Sequence, residues 1–115
     1  MGAGGGMAGA IARGEVRLYQ FPRPDKQRPV VVLTRDSAIA YLSTVTVAPI
    51  TSTIRGVPSE VGLTEADGMK GACAINLHNV VTVSNAHLGR RVAVLSAERM
   101  KELCRAPGFA LGYTS

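Results

Sequence analysis

The spacing of its β-branched runs constrains this chain most. They recur every few residues, broken by proline, glycine or polar clusters, and no helical segment between them is long enough to carry a parallel crossover. From Gly14 to Phe21 the positions Val16, Leu18 and Gln20 alternate with Glu15, Arg17 and Tyr19, which predicts a strand that ends at Pro22-Arg23-Pro24-Asp25. The run Val30 to Thr34 is apolar on both faces and predicts a central strand with Pro29 at its start. A short helical turn from Asp36 to Leu42 follows. Thr44 to Thr51 is the next strand, in which Pro49, having no N–H to donate, is expected at an edge or a bulge.

Ser52 to Pro58 is expected as a loop carrying Arg55 and Gly56, then a short strand from Ser59 to Thr64 and a polar turn over Glu65-Ala66-Asp67-Gly68. From Ala72 to Val83 the odd positions Cys73, Ile75, Leu77, Val81 and Val83 are apolar while Asn76 and His78 share the other face, which predicts one strand. A last strand near Arg91 to Leu95 leads to Ser96, a good N-cap, with Glu98 in the first helical turn and Met100, Leu103 and Cys104 at helical spacing. Pro107-Gly108 ends that helix. Many short strands followed by one helix specify a mainly β protein, a small antiparallel barrel with a packed C-terminal helix.

A chain of 115 residues holds one such domain, expected over residues 13–115. Residues 1–12, mostly glycine and alanine, have little to bury and are expected to be a disordered leader; they also lack the basic start and apolar centre of a secretory signal. No apolar run approaches the roughly 20 residues of a membrane span, so a soluble, cytoplasmic protein is expected. Cys73 and Cys104 are too few and too far apart for a disulfide framework and are expected as reduced core thiols. With His78 and His87 they offer no paired ligand spacing, so no metal site and no cofactor are expected. The net charge of +5 is concentrated between Arg13 and Arg55, where seven basic residues face three acidic ones. A polyanionic partner suits that excess, though basic surfaces also occur without one.

Three motifs in order carry a resemblance: Gly14-Glu15-Val16, then Arg28-Pro29-Val30-Val31-Val32-Leu33, then Val47-Ala48-Pro49-Ile50-Thr51. Together they resemble the MazF/PemK toxins, and Thr44 to Gly56 is similar to actinobacterial members in particular. Leu88-Gly89-Arg90-Arg91-Val92 also resembles that family's closing strand. The resemblance runs from Arg13 onward. It implies an SH3-like barrel, shared in outline with the CcdB toxins, a two-fold homodimer, and a cognate MazE-like antitoxin whose acidic tail folds onto a basic groove. The implied activity is metal-independent cleavage of single-stranded RNA (mRNA, with tRNA or rRNA as alternatives) by transesterification, the ribose 2′-oxygen attacking the adjacent phosphate. Arg28 and Thr51 match the family's catalytic arginine and threonine.

Both residue types suit that chemistry. A guanidinium donates paired hydrogen bonds to phosphate oxygens as their charge grows, but arginine holds its proton too tightly to be a good base. A threonine hydroxyl can orient a phosphate oxygen; by spacing alone Thr51 reads first as a strand residue filling the sheet, and the resemblance reverses that order. Ser52, Thr53, Arg55 and Lys26 are expected as contacts to RNA, with a solvated surface as the rival reading for Arg55. Asn76 is expected to hydrogen-bond RNA and His78 to contact it or to serve as an acid or base. Ala74 and Asn76 stand where some relatives carry arginine and aspartate, so any role of that pair has no counterpart here. Two rival functions remain open: a non-catalytic nucleic-acid-binding barrel, and a gyrase-directed toxin of the CcdB kind.

Overall fold

The computed structural model describes residues 11–22, 27–35, 39 and 43–106. They form seven strands, all paired antiparallel: β1 (Glu15–Gln20), β2 (Gln27–Val32), β3 (Thr44–Thr51), β4 (Glu60–Leu63), β5 (Cys73–Asn76), β6 (Val81–Ser84) and β7 (Leu88–Val94). One α-helix, α1 (Ala97–Arg105), closes the described chain. The strand path runs β4-β5-β3-β2-β1-β7, and β6 pairs with β3 beside β5. The helical turn expected from Asp36 to Leu42 lies outside the described residues except at helical Ile39, and so does the expected stop at Pro107-Gly108.

β2 is the central strand that its composition required. Val31 and Leu33 enter one hydrophobic cluster, with Val16, Ile50, Leu63, Ile75 and Leu103, while Val30 and Val32 enter a second, with Ile39, Val45, Val47 and Val83. Alternation along a strand buried on both faces feeds two cores at once. β2 begins earlier than expected, so Pro29 lies inside it, where only Leu18 of β1 is registered against it. Pro49 is likewise inside a central strand rather than at an edge. It faces Val30 of β2, while on the other side of β3 the pairing with β6 has stopped at Val47 and that with β5 begins at Ile50. The proline falls in the gap between two partners, where no donor is needed.

The sheet curls until its two ends share a core. Val61 and Leu63 of β4 pack in the same cluster as Leu95 just beyond β7 and Leu103 of α1. The turn after β4 is a 3-10 helix, Glu65–Asp67, capped by Thr64 and ended by Gly68 in the left-handed region at φ 91°. Its Asp67 carboxylate accepts from the Thr64 N–H at 2.8 Å and from Arg99 Nε of α1 at 3.0 Å, which pins the β4 end to the helix. Ser96 caps α1 by accepting from the Arg99 N–H at 3.1 Å. β7, at the other end of the path, is irregular. Val16 faces Ala93 and Tyr19 faces Leu88, three steps along β1 against five along β7, so β7 bulges twice.

Three further expectations are corrected. The single strand expected from Ala72 to Val83 is β5 and β6 separated by a 3-10 turn, Leu77–Asn79, because the Asn76 side chain accepts from the His78 N–H at 3.1 Å and turns the backbone out of the strand. Cys104 is not a core thiol. It is exposed on α1, with Arg13 donating to its sulfur at 3.7 Å, whereas Cys73 is buried; both are free. Ile11 and Ala12, expected within the leader, are tied to the fold: Ile11 packs on the second cluster and the Ala12 N–H donates to Glu15 Oε1 at 3.1 Å.

Candidate functional site

Arg28 and Thr51 come from neighbouring strands. The β2–β3 ladder ends at Val30 and Pro49, and Arg28 and Thr51 each lie two residues beyond that last pair. Two concavities meet there, of about 610 Å³ and about 910 Å³, and Arg28, Thr51 and Thr53 line both.

The loop after β3 begins with a local hydrogen bond: Thr51 Oγ1 accepts from the Thr53 N–H at 3.0 Å. A hydroxyl that accepts from its own loop keeps its single proton for a partner outside it. Further on, the Arg55 and Gly56 N–H groups donate to Glu60 Oε1 at 3.1 and 2.9 Å, so the first residue of β4 latches the loop. On the neighbouring strand β5, Asn76 is registered against Glu60. The 3-10 turn beyond Asn76 is fastened twice to Ser59, the residue before β4, by the Leu77 N–H donating to its carbonyl at 2.9 Å and by its Oγ at 2.7 Å from His78 Nδ1.

Of the residues singled out from the sequence, Arg28, Thr51, Thr53, Arg55, Asn76 and His78 line the first concavity. Ser52 lines the second only. Lys26 lies outside the described residues. Asn76 and His78 do not share a strand face as expected; they are the cap and the first turn of the 3-10 helix, and the cap bond occupies the Asn76 carbonyl while leaving its NH2 to donate. Sequence reasoning passed over Glu60, Phe21 and Asn79 in the first concavity, and Arg90 and Gln27 in the second. No spacing rule marks them, because the curl of the sheet assembles them from β2, β4, β7, the residue after β1 and the 3-10 turn after β5.

Electrostatics separate structural from reactive groups. Burial pushes the Cys73 thiol above its ordinary 9.0, with the Asp67 charge adding to the effect, so the thiol at the floor of the second concavity stays neutral. The Arg99 hydrogen bond holds the Asp67 carboxyl below its ordinary 3.8 despite its burial. Among the described residues no three histidine, cysteine, aspartate or glutamate side chains converge as a metal site, and no helix is long and apolar enough to cross a membrane.

Comparison with known proteins agrees with this arrangement. Residues 12–107 match the family model of the PemK-like, MazF-like toxin of type II toxin-antitoxin systems. The chain is 38% identical over 95 residues to endoribonuclease MazF3 of Mycobacterium tuberculosis, covering 83% of this chain and 92% of that protein. It is 44% identical over 101 residues to the probable endoribonuclease MazF5 of the same organism, covering 87% and 92%. Among solved structures, the Mycobacterium tuberculosis toxin MazF-mt6 superposes with a TM-score of 0.75 at 34% identity, over 88% of this chain and 99% of that one. An endoribonuclease in complex with its cognate antitoxin from Mycobacterial species shares the fold, with a TM-score of 0.77 at 22% identity, over 90% of this chain and 96% of that one. With the match spanning nearly all of the described barrel, this chain belongs to the PemK-like, MazF-like toxin family of type II toxin-antitoxin systems.

Proposed function

We propose that this chain is a sequence-specific endoribonuclease toxin that cuts single-stranded RNA by metal-independent transesterification, with Arg28 and Thr51 at the scissile phosphate. The observation that carries the reading is that Arg28 and Thr51, from neighbouring strands, both line each of the two concavities. A polynucleotide crossing from one concavity to the other passes over both side chains. The 2′-oxygen, on losing its proton, forms a bond to phosphorus and the bond to the 5′-oxygen breaks, leaving a cyclic phosphate and a 5′-hydroxyl. Charge grows on the nonbridging oxygens, where the Arg28 guanidinium and the outward proton of Thr51 oppose it. Thr53, Arg55, Asn76 and His78 line the path as RNA contacts, with Ser52 on the far side. The protein acts as a homodimer in the cytoplasm, and a cognate antitoxin with an acidic tail silences it by covering the groove.

The full-length protein is expected to cut single-stranded RNA in EDTA, giving cyclic phosphate and 5′-hydroxyl ends. Arg28→Ala should lower kcat/KM by about 100-fold or more, the usual cost of losing a transition-state donor. Undiminished cutting by Arg28→Ala removes the assignment, and loss of cutting in EDTA removes metal independence. Saturable RNA binding without products would favour a non-catalytic binding barrel instead.

A further inference from the structure

The two concavities differ in chemistry. The second has Lys70 and Arg90 on its rim, with Gln27 and Ser52 and no carboxylate among its described lining. The first has Arg28 and Arg55 and, unlike the second, a carboxylate, that of Glu60, with Asn76, Asn79, His78 and the ring of Phe21. A phosphate is attracted by the arginines and Lys70 and repelled by a carboxylate, so a polyanion that crosses this groove keeps its backbone on the cations and leaves a base for Glu60. Amide, imidazole and aromatic groups are also what single-stranded RNA recognition uses to hold an unstacked base.

Resting on the ribonuclease reading, we propose that Glu60 is a specificity-determining residue that selects a base carrying an exocyclic amino group over uracil at one subsite. Its two oxygens are unequally engaged. Oε1 accepts from Arg55 and Gly56 at 3.1 and 2.9 Å, whereas Oε2 has only the longer bond from Arg55 at 3.3 Å. A carboxylate has about four acceptor positions and no donor, so the Oε2 side offers acceptance alone. Adenine, cytosine and guanine each present an amino group to it. Uracil is the one RNA base that lacks such a group; its single donor, N3–H, lies between two carbonyl oxygens that would meet the carboxylate as acceptor against acceptor. The latch on Arg55 and Gly56 fixes the carboxylate in place, and Asn76, registered beside it on β5, supplies the complementary donor.

The test maps the 5′ ends produced by the full-length protein from a random single-stranded RNA pool, beside those of Glu60→Gln. Glutamine keeps an acceptor for the loop N–H groups and adds a donor that uracil can use. The wild type should show one position depleted of uracil, and in Glu60→Gln uracil at that position should rise about tenfold relative to the other bases, with the remaining positions unchanged. A second arm needs no variant: replacing the selected base by its analogue without the amino group, such as inosine for guanosine, should lower wild-type kcat/KM about tenfold. Cutting that depletes uracil nowhere, or amino-group deletions harmless at every position, overturns this inference alone. A protein that cuts no RNA overturns the ribonuclease reading and this inference with it.

Discussion

Gly14 stands at φ +88°, between a carbonyl that accepts from the Leu95 N–H and an N–H that donates to the Val32 carbonyl, both at 2.9 Å. A side chain in this left-handed region costs about 1–2 kcal/mol, and a Cβ here would lie 3.1 Å from Met100 Sδ. Gly14→Ala should therefore lower unfolding free energy by roughly that amount in urea denaturation while leaving the groove residues in place. The next residue illustrates what a sequence can hide. Glu15 is 4% exposed, held by Arg17 Nε at 2.8 Å, the Ala12 N–H at 3.1 Å and Arg91 at 3.4 Å, yet nothing in its spacing separates it from a surface glutamate. Motif resemblance pointed to Arg28 and Thr51, which line both concavities. Nothing in the sequence pointed to Glu60, whose place in the first depends on where the Arg55-Gly56 backbone comes to lie.

Elements were read well where one period decided them. β3 has the bounds its β-branched run suggested, and α1 starts after the cap that Ser96 promised. The reading failed over residues 72–83, where the same odd-position apolar pattern continues through β5, a 3-10 turn and β6. A local side-chain bond from Asn76 breaks the strand there, and hydrophobic period carries no trace of it. The join between the β4 turn and α1 makes a pH prediction. The folded protein holds Asp67 ionised below its ordinary 3.8, so the Asp67–Arg99 pair adds stability that is complete above about pH 4 to 5 and is lost as acid protonates the carboxylate. Asp67→Asn keeps the shape and an acceptor for the Thr64 N–H. It should lower stability near neutral pH by about 1–3 kcal/mol and flatten the acid limb of a stability-against-pH curve, read by denaturation at a series of pH values.

Over the whole molecule, curvature unites groups that are far apart along the chain. Thr51, Lys70 and Arg90 reach one concavity from β3, the turn before β5 and β7. Net charge from the sequence indicated a polyanion without saying where it would lie. If the RNA backbone follows that rim, neutralising Lys70 or Arg90 with glutamine should weaken binding alike for all sequences. Each change should lower the slope of log affinity against log salt by about 0.7, measured by fluorescence anisotropy with an RNA carrying a 2′-deoxy link at the cut position.

The double bulge of β7 has a further consequence. Val94 is 56% exposed and the strand ends the hydrogen-bonded path, a combination that in a flat ribbon invites copies to stack into fibrils. Two extra residues throw the outer row of N–H and C=O groups out of step, so an incoming strand finds no even template along it. On this argument the irregular margin discourages strand-by-strand growth, and deleting a bulge residue should hasten aggregation in concentrated solution, read by light scattering.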